Sequence, residues 1–141
     1  MERAIYRKAA DGSGKEELLW SGKGHVHLGG FTPDGKSLVV SYTAGAPYEI
    51  GSLSVETGKL TPLLSEPYGE YEPALSKDGR WLAYTSDESG RPEVYVRSFP
   101  EAGPRKQVSQ NGGNQPRWSR DGRQLYFTAL DAKILSVDVT L

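Results

Sequence analysis

The chain has 141 residues, with 17 Lys plus Arg against 18 Asp plus Glu and a net charge of −1. That length supports one modest domain with a core, and the balanced charge gives no basic field for nucleic acid or anionic lipid. Cysteine is absent, which excludes disulfides, thiolate metal sites and cysteine nucleophiles without fixing the compartment. No apolar run is long enough to span a membrane, and Met1-Glu2-Arg3 opens no secretory leader. Seventeen Gly and nine Pro, scattered along the chain, predict many turns and few helices.

Ala4 to Lys8 reads as a strand, Asp11-Gly12-Ser13-Gly14 as a turn, and Glu16 to Trp20 as a second strand. No Asp-Gly hairpin precedes this pair, so it reads as the tail of a unit whose first half is missing. A full unit follows: strands His25–Phe31, Ser37–Tyr42, Ser52–Val55 and Leu60–Leu64, with a loop over 43–48. The next unit repeats the plan with strands Glu72–Ser76, Arg80–Ser86, Glu93–Ser98 and Lys106–Ser109. The last gives Pro116–Ser119, Gln124–Thr128 and Ile134–Val139, then stops one strand short.

Three stretches set the frame: Phe31-Thr32-Pro33-Asp34-Gly35-Lys36, Leu75-Ser76-Lys77-Asp78-Gly79-Arg80 and Trp118-Ser119-Arg120-Asp121-Gly122-Arg123. The aspartates lie 44 and then 43 residues apart. Asp-Gly between strand-like runs signals a hairpin. The Asp carboxylate accepts backbone N–H groups and Gly supplies positive φ, so Asp34, Gly35, Asp78, Gly79, Asp121 and Gly122 are predicted structural turns. The strands after these turns are apolar on both faces, as suits strands covered on both sides.

Four antiparallel strands in roughly 40–45 residues is the size of a propeller blade. The expected fold is all-β: a partial β-propeller of about three four-stranded blades and 13 strands. Residues 1–22 are the tail of a preceding blade, 23–65 and 66–110 are full blades, and 111–141 is an incomplete one. Antiparallel order puts the Asp-Gly turns at one end of every blade. The other end collects Tyr48, Tyr68, Glu70, Tyr71, Asp87, Glu88, Arg91 and Asn114.

These units resemble the WD-like repeats of TolB-type β-propellers. Trp81 to Pro100 and Gln115 to Phe127 are similar to propellers attached to bacterial membrane-bound serine/threonine kinases. The resemblance covers nearly the whole chain. It implies a sensing or protein-binding scaffold, no catalytic residue, and a periplasmic or extracytoplasmic location. The first unit departs from Ser-Pro-Asp-Gly by Thr32, and the other two lack the proline.

The chemistry sought elsewhere has a plain reading. Gly30 to Ser37 matches the P-loop spacing, but that loop works between a strand and a helix. Ser37 opens a strand-like run, and Pro33 removes an N–H group. His25 and His27 share one side of a strand, and zinc needs further ligands; no metal is assigned. No Gly-x-Ser-x-Gly elbow exists. The carboxylate pairs Asp87-Glu88 and Glu70/Glu72 read as solvated loop charge, and Trp20, Trp81 and Trp118 as packing between blades. Tyr48, Tyr68 and Tyr71, with Asp87, Glu88 and Arg91, form the candidate binding face.

The expected function is a non-enzymatic recognition or sensor module cut from a longer chain. It binds a protein or small ligand at the loop face, with no cofactor, nucleic acid or membrane insertion. Two alternatives stand beside it: the propeller of a prolyl-oligopeptidase-like serine peptidase, and the extracytoplasmic part of a bacterial receptor serine/threonine kinase. An unclosed arc of blades is also expected to self-associate through its edge strands.

Overall fold

The computed structural model describes residues 2–43 and 45–140; Ala44, inside the predicted 43–48 loop, lies outside them. Among the described residues, thirteen strands form four separate antiparallel sheets. The first holds β1 (Glu2–Arg7) and β2 (Glu17–Lys23). The second holds β3 (His25–Phe31), β4 (Ser37–Thr43), β5 (Glu49–Ser54) and β6 (Leu60–Leu64) in sequence order. The third holds β7 (Glu70–Leu75), β8 (Trp81–Ser86), β9 (Glu93–Ser98) and β10 (Lys106–Gln107). The fourth holds β11 (Asn114–Trp118), β12 (Gln124–Thr128) and β13 (Ile134–Asp138). Among the described residues no ladder joins the last sheet to the first, so the sheets form an open arc.

Strand alternation explains the core. Side chains on successive residues point to opposite faces, and each central strand meets a neighbouring sheet on both sides. Leu38 and Val40 pack towards Ile5, Leu19 and Trp20 of the first sheet. Val39, on the opposite face of β4, packs with Ile50, Leu64, Leu82, Tyr84 and Tyr95 between the second and third sheets. Ala83, Val94 and Val96 meet Leu125 and Phe127 of the fourth. The outer face of the fourth sheet has no such cover, and Tyr126 and Ile134 are exposed there. The indole N–H of Trp118 donates to the Ala74 carbonyl at 2.9 Å, tying the fourth sheet to the third.

The first strand of each later sheet bends at one corresponding place. β3, β7 and β11 each break register there, and Glu72 and Gln115 both sit at φ 54. A left-handed non-glycine residue costs energy and is held by its surroundings. Glu72 Oε2 accepts from the Gln115 backbone N at 2.7 Å and from Thr85 Oγ1 at 3.0 Å. One carboxylate thus links the two bends across the sheets. Pro73 and Pro116 follow the bends on strands that end their sheets, where a missing N–H is tolerated.

One expectation needs correction. β5 starts at Glu49, three residues before the predicted strand, because Gly51 lies where a Cβ would meet Leu60 and Tyr42 at 2.9 Å, inside the ladder and not in a loop. The Asp-Gly hairpins close over four-residue loops. Ser76 N donates to the Trp81 carbonyl and Gly79 N to the Ser76 carbonyl, leaving residues 77–80 as the loop. The Ser76 hydroxyl donates to Asp78 Oδ1 at 2.6 Å and accepts from Trp81 N at 3.0 Å. Asp78 Oδ1 also accepts from Arg80 N at 3.1 Å. Thr32 with Asp34, and Ser119 with Asp121, repeat this network. The hydroxyl at the first position is therefore as much a part of the turn as Asp and Gly. Hydrogen bonds to Ser76 and Arg80 hold the Asp78 carboxyl down at about 2.

The glycines of these turns are not equivalent. All three have positive φ, and Gly35 and Gly122 face open space. A Cβ on Gly79 would lie 2.5 Å from Pro33 Cδ of the neighbouring turn. Gly122→Ala is expected to cost about 1 kcal/mol from backbone strain alone, and Gly79→Ala about 2–3 kcal/mol because the rigid proline ring must also move. Denaturant midpoints of the two variants test this; equal shifts would refute the contact between the turns.

Candidate recognition face

The loop end is built by the chain between β4 and β5, between β6 and β7, and between β8 and β9. Glu70 N donates to the Tyr48 carbonyl at 2.9 Å, which docks the first of these loops on the second. Asp87 Oδ1 accepts from Gly69 N at 2.8 Å and fixes the third to the second. The result is a groove of about 530 Å³ lined by Ala46, Pro47, Tyr48, Pro67, Tyr68, Gly69, Tyr71 and Asp87. Tyr48 and Tyr71 meet edge to face at 6.1 Å between ring centres, and the His27 ring lies 6.1 Å from Tyr48. Burial, then Asp87 and Glu72, raise the Tyr71 hydroxyl above its ordinary pKa.

Of the six residues of the candidate face, four line this groove: Tyr48, Tyr68, Tyr71 and Asp87. Glu88 sits beside it. Its carboxylate is clamped by Arg105, with Nε to Oε1 and Nη2 to Oε2 both at 2.8 Å. The Arg105 guanidinium lies 5.7 Å from the centre of the Tyr68 ring. Arg91 turns away. Its Nε donates to Glu93 Oε1 at 2.8 Å and its Nη2 to the Gln110 carbonyl.

The reading of Glu70 and Glu72 as solvated loop charge is overturned. Both lie on β7; Glu70 is 1% exposed, and Glu72 is engaged by Gln115 and Thr85. Burial, followed by the nearby Glu66, pushes the Glu70 carboxyl up to about 7, and its Oε2 has no hydrogen-bond partner. Glu93, also 1% exposed, has the opposite fate. Burial raises it, but hydrogen bonds from Ser109 Oγ, Gly112 N and Arg91 outweigh that and leave its pKa below the ordinary value. Strand register puts Glu70, Ser86 and Glu93 in one row across β7, β8 and β9.

Sequence reasoning missed Arg105, which lies 17 residues from the Glu88 it holds. It also missed a repeated pair with a visible signal. Glu49 accepts from Ser65 Oγ at 3.1 Å, and Glu93 accepts from Ser109 Oγ. Both members recur at the 44-residue spacing of Asp34 and Asp78.

The P-loop spacing is occupied by a turn. Gly35 N donates to the Thr32 carbonyl, Lys36 N to Asp34 Oδ1 and Ser37 N to Thr32 Oγ1, and strand β4 follows. These N–H groups are spent internally and none cradles a phosphate. Calorimetric titration with Mg-ATP is expected to show no saturable heat; micromolar binding lost in Lys36→Ala would overturn this. His25 and His27 are exposed on β3, and among the described residues no three His, Asp or Glu side chains converge as metal ligands.

A family model described as TolB beta propeller domain matches residues 4–140. The chain is 32% identical over 84 residues to the Tol-Pal system protein TolB of Alcanivorax borkumensis, a match covering 58% of this chain and 19% of that protein. A solved structure described as TolB from Agrobacterium tumefaciens superposes with a TM-score of 0.75 at 21% identity, over 97% of this chain and 57% of that one. The tricorn protease shares the fold at a TM-score of 0.56 and 22% identity, over 81% of this chain and 12% of the protease. The chain thus spans about a fifth of the curated relative and just over half of the first structural one.

Proposed function

The chain belongs to the TolB β-propeller domain family, and on that premise we propose that it is a non-enzymatic recognition module whose loop end holds a protein segment. The observation that carries this reading is the tyrosine groove. Three aromatic side chains from two loops and β7 converge on one open depression, held in place by inter-loop hydrogen bonds. Large, amphipathic and stiff Tyr side chains give contact area at low entropic cost, which is what a recognition face needs. The relatives support an extracytoplasmic setting and a place in a longer protein, with blades over 23–65 and 66–110 and partial ones on either side.

Display of a random peptide library on the immobilised chain tests the proposal. Selected peptides are expected to lose at least tenfold in affinity against Tyr71→Ala. Peptides that bind both proteins equally would refute the loop face as the site.

The likeness to the tricorn protease favours a second reading, the propeller of a serine peptidase. Attachment to a receptor kinase is the third. A Gly-x-Ser-x-Gly hydrolase domain in the surrounding reading frame would mark the second, and a kinase domain with a membrane helix the third. Self-association belongs to the same proposal: Ile134 is 74% exposed on the edge strand β13, where another chain can pair. Light scattering of the isolated chain is expected to show dimers or larger species; a monomer over a wide concentration range would contradict it.

A further inference from the structure

The charges around the groove set one requirement on its occupant. The opposite end of the sheets mixes both signs: Lys36, Lys77, Arg80, Arg120 and Arg123 lie in the same turns as Asp34, Asp78 and Asp121. The loop end is acidic. Asp87 lines the groove, and Asp87 and Glu72 act on the Tyr71 hydroxyl. Burial and then Glu88 raise the Tyr68 hydroxyl above its ordinary pKa, with Arg105 opposing and Glu66 adding to the rise. Glu70, between Gly69 and Tyr71 in sequence, is buried, and burial favours its neutral form, so it adds little charge to this end. The cation beside the groove, Arg105, is already paired twice to Glu88.

The walls set a second requirement. Pro47, Pro67 and the three tyrosines offer flat apolar faces with hydroxyl groups at their rims. An extended polyproline segment suits such a surface, since its rings stack on aromatic faces, its carbonyls accept from hydroxyls, and it loses little entropy on binding.

We infer that the occupant of this groove is an extended, proline-rich segment of a partner protein carrying Arg or Lys. The inference rests on the loop-face reading above and adds the chemistry of the partner. Charge complementarity selects cations, and it also excludes acidic segments by repulsion from Asp87 and its neighbours.

Three labelled peptides test it by fluorescence anisotropy on the 141-residue chain: Pro-Pro-Arg-Pro-Pro-Arg-Pro-Pro, the same peptide with Glu for Arg, and one with Gly-Ser in place of the prolines. The Arg-Pro peptide is expected to bind at least tenfold tighter than the Glu peptide and at least fivefold tighter than the Gly-Ser one. Raising salt from 0.05 to 0.5 M is expected to weaken it severalfold as the charges are screened. Tyr71→Ala should abolish binding. Asp87→Asn keeps the acceptor for Gly69 N and should weaken binding threefold or more with an unchanged thermal midpoint, so the test survives if the tyrosine variant misfolds. Equal binding of the Arg and Glu peptides, or no binding of the Arg-Pro peptide at millimolar concentration, overturns the inference. If library-selected peptides still require Tyr71 in that case, the loop-face reading stands and only the partner chemistry falls. If they do not, both fall.

Discussion

Glu93→Ala is expected to destabilise the chain by about 2–4 kcal/mol, the largest loss from any single side chain described above. The carboxylate is buried and accepts from Ser109 Oγ, from Gly112 N at 2.9 Å and from Arg91 Nε at 2.8 Å. Ser109 Oγ in turn accepts from Val94 N at 2.7 Å. One acid thus fastens the chain after β10 onto β9. Truncation strands a buried N–H and a buried hydroxyl, each at the cost of its desolvation. The Arg91 side chain is 49% exposed and regains water, which keeps the loss below the upper end for broken buried pairs. The folded pKa of Glu93 lies below its ordinary 4.5, so its contribution is present above pH 4.5 and is lost as pH falls through the lower value. Glu93→Gln retains an acceptor and should cost about half as much. Urea midpoints at unchanged slope measure both; a loss under 1 kcal/mol for the alanine variant would contradict the clamp.

Glu70→Gln should do the reverse and stabilise the chain by roughly 2–3 kcal/mol at pH 8, with almost no effect at pH 4.5. Glu66, Arg97, Glu88, Arg105 and Tyr84 surround the carboxyl, and burial outweighs the two arginines to lift it from 4.5 to about 7. Between those values the folded chain holds a proton that the unfolded chain has released. Stability from this group is complete below pH 4.5, falls as pH rises, and is lost once the folded carboxyl ionises above about 7. The amide variant carries no charge at any of these pH values, so the difference between the two proteins should grow with pH and level off above 7. Thermal midpoints of both from pH 4.5 to 8.5 give the curve. A difference that is flat with pH would mean that Glu70 ionises normally.

The contrast between these two acids marks where sequence reading stops. The strands and turns were legible because their signals are local: alternation along β4 and β8, and Asp-Gly at a fixed period. The groove was legible in outline because antiparallel order alone brings Tyr48, Tyr68 and Tyr71 to one end. Burial of Glu70 and Glu93 is a property of how sheets stack, and no local signal separates them from the exposed Asp87. Arg91 was legible as a loop cation, but its ion pair with the buried Glu93 was not. The Glu–Ser pairs at 49/65 and 93/109 were readable from the repeat itself, since a hydrogen bond kept in both units leaves its period in the sequence.

Hydrogen exchange with a library-selected peptide bound addresses the central claim most directly. Backbone amides at 46–48, 67–71 and 87–88 should gain protection, while those at 34–36, 78–80 and 121–123, at the opposite end of the sheets, should exchange as in the free chain. Protection confined to the Asp-Gly end, or to the edge of β13, would show that the tyrosine groove is not where this protein recognises its partner.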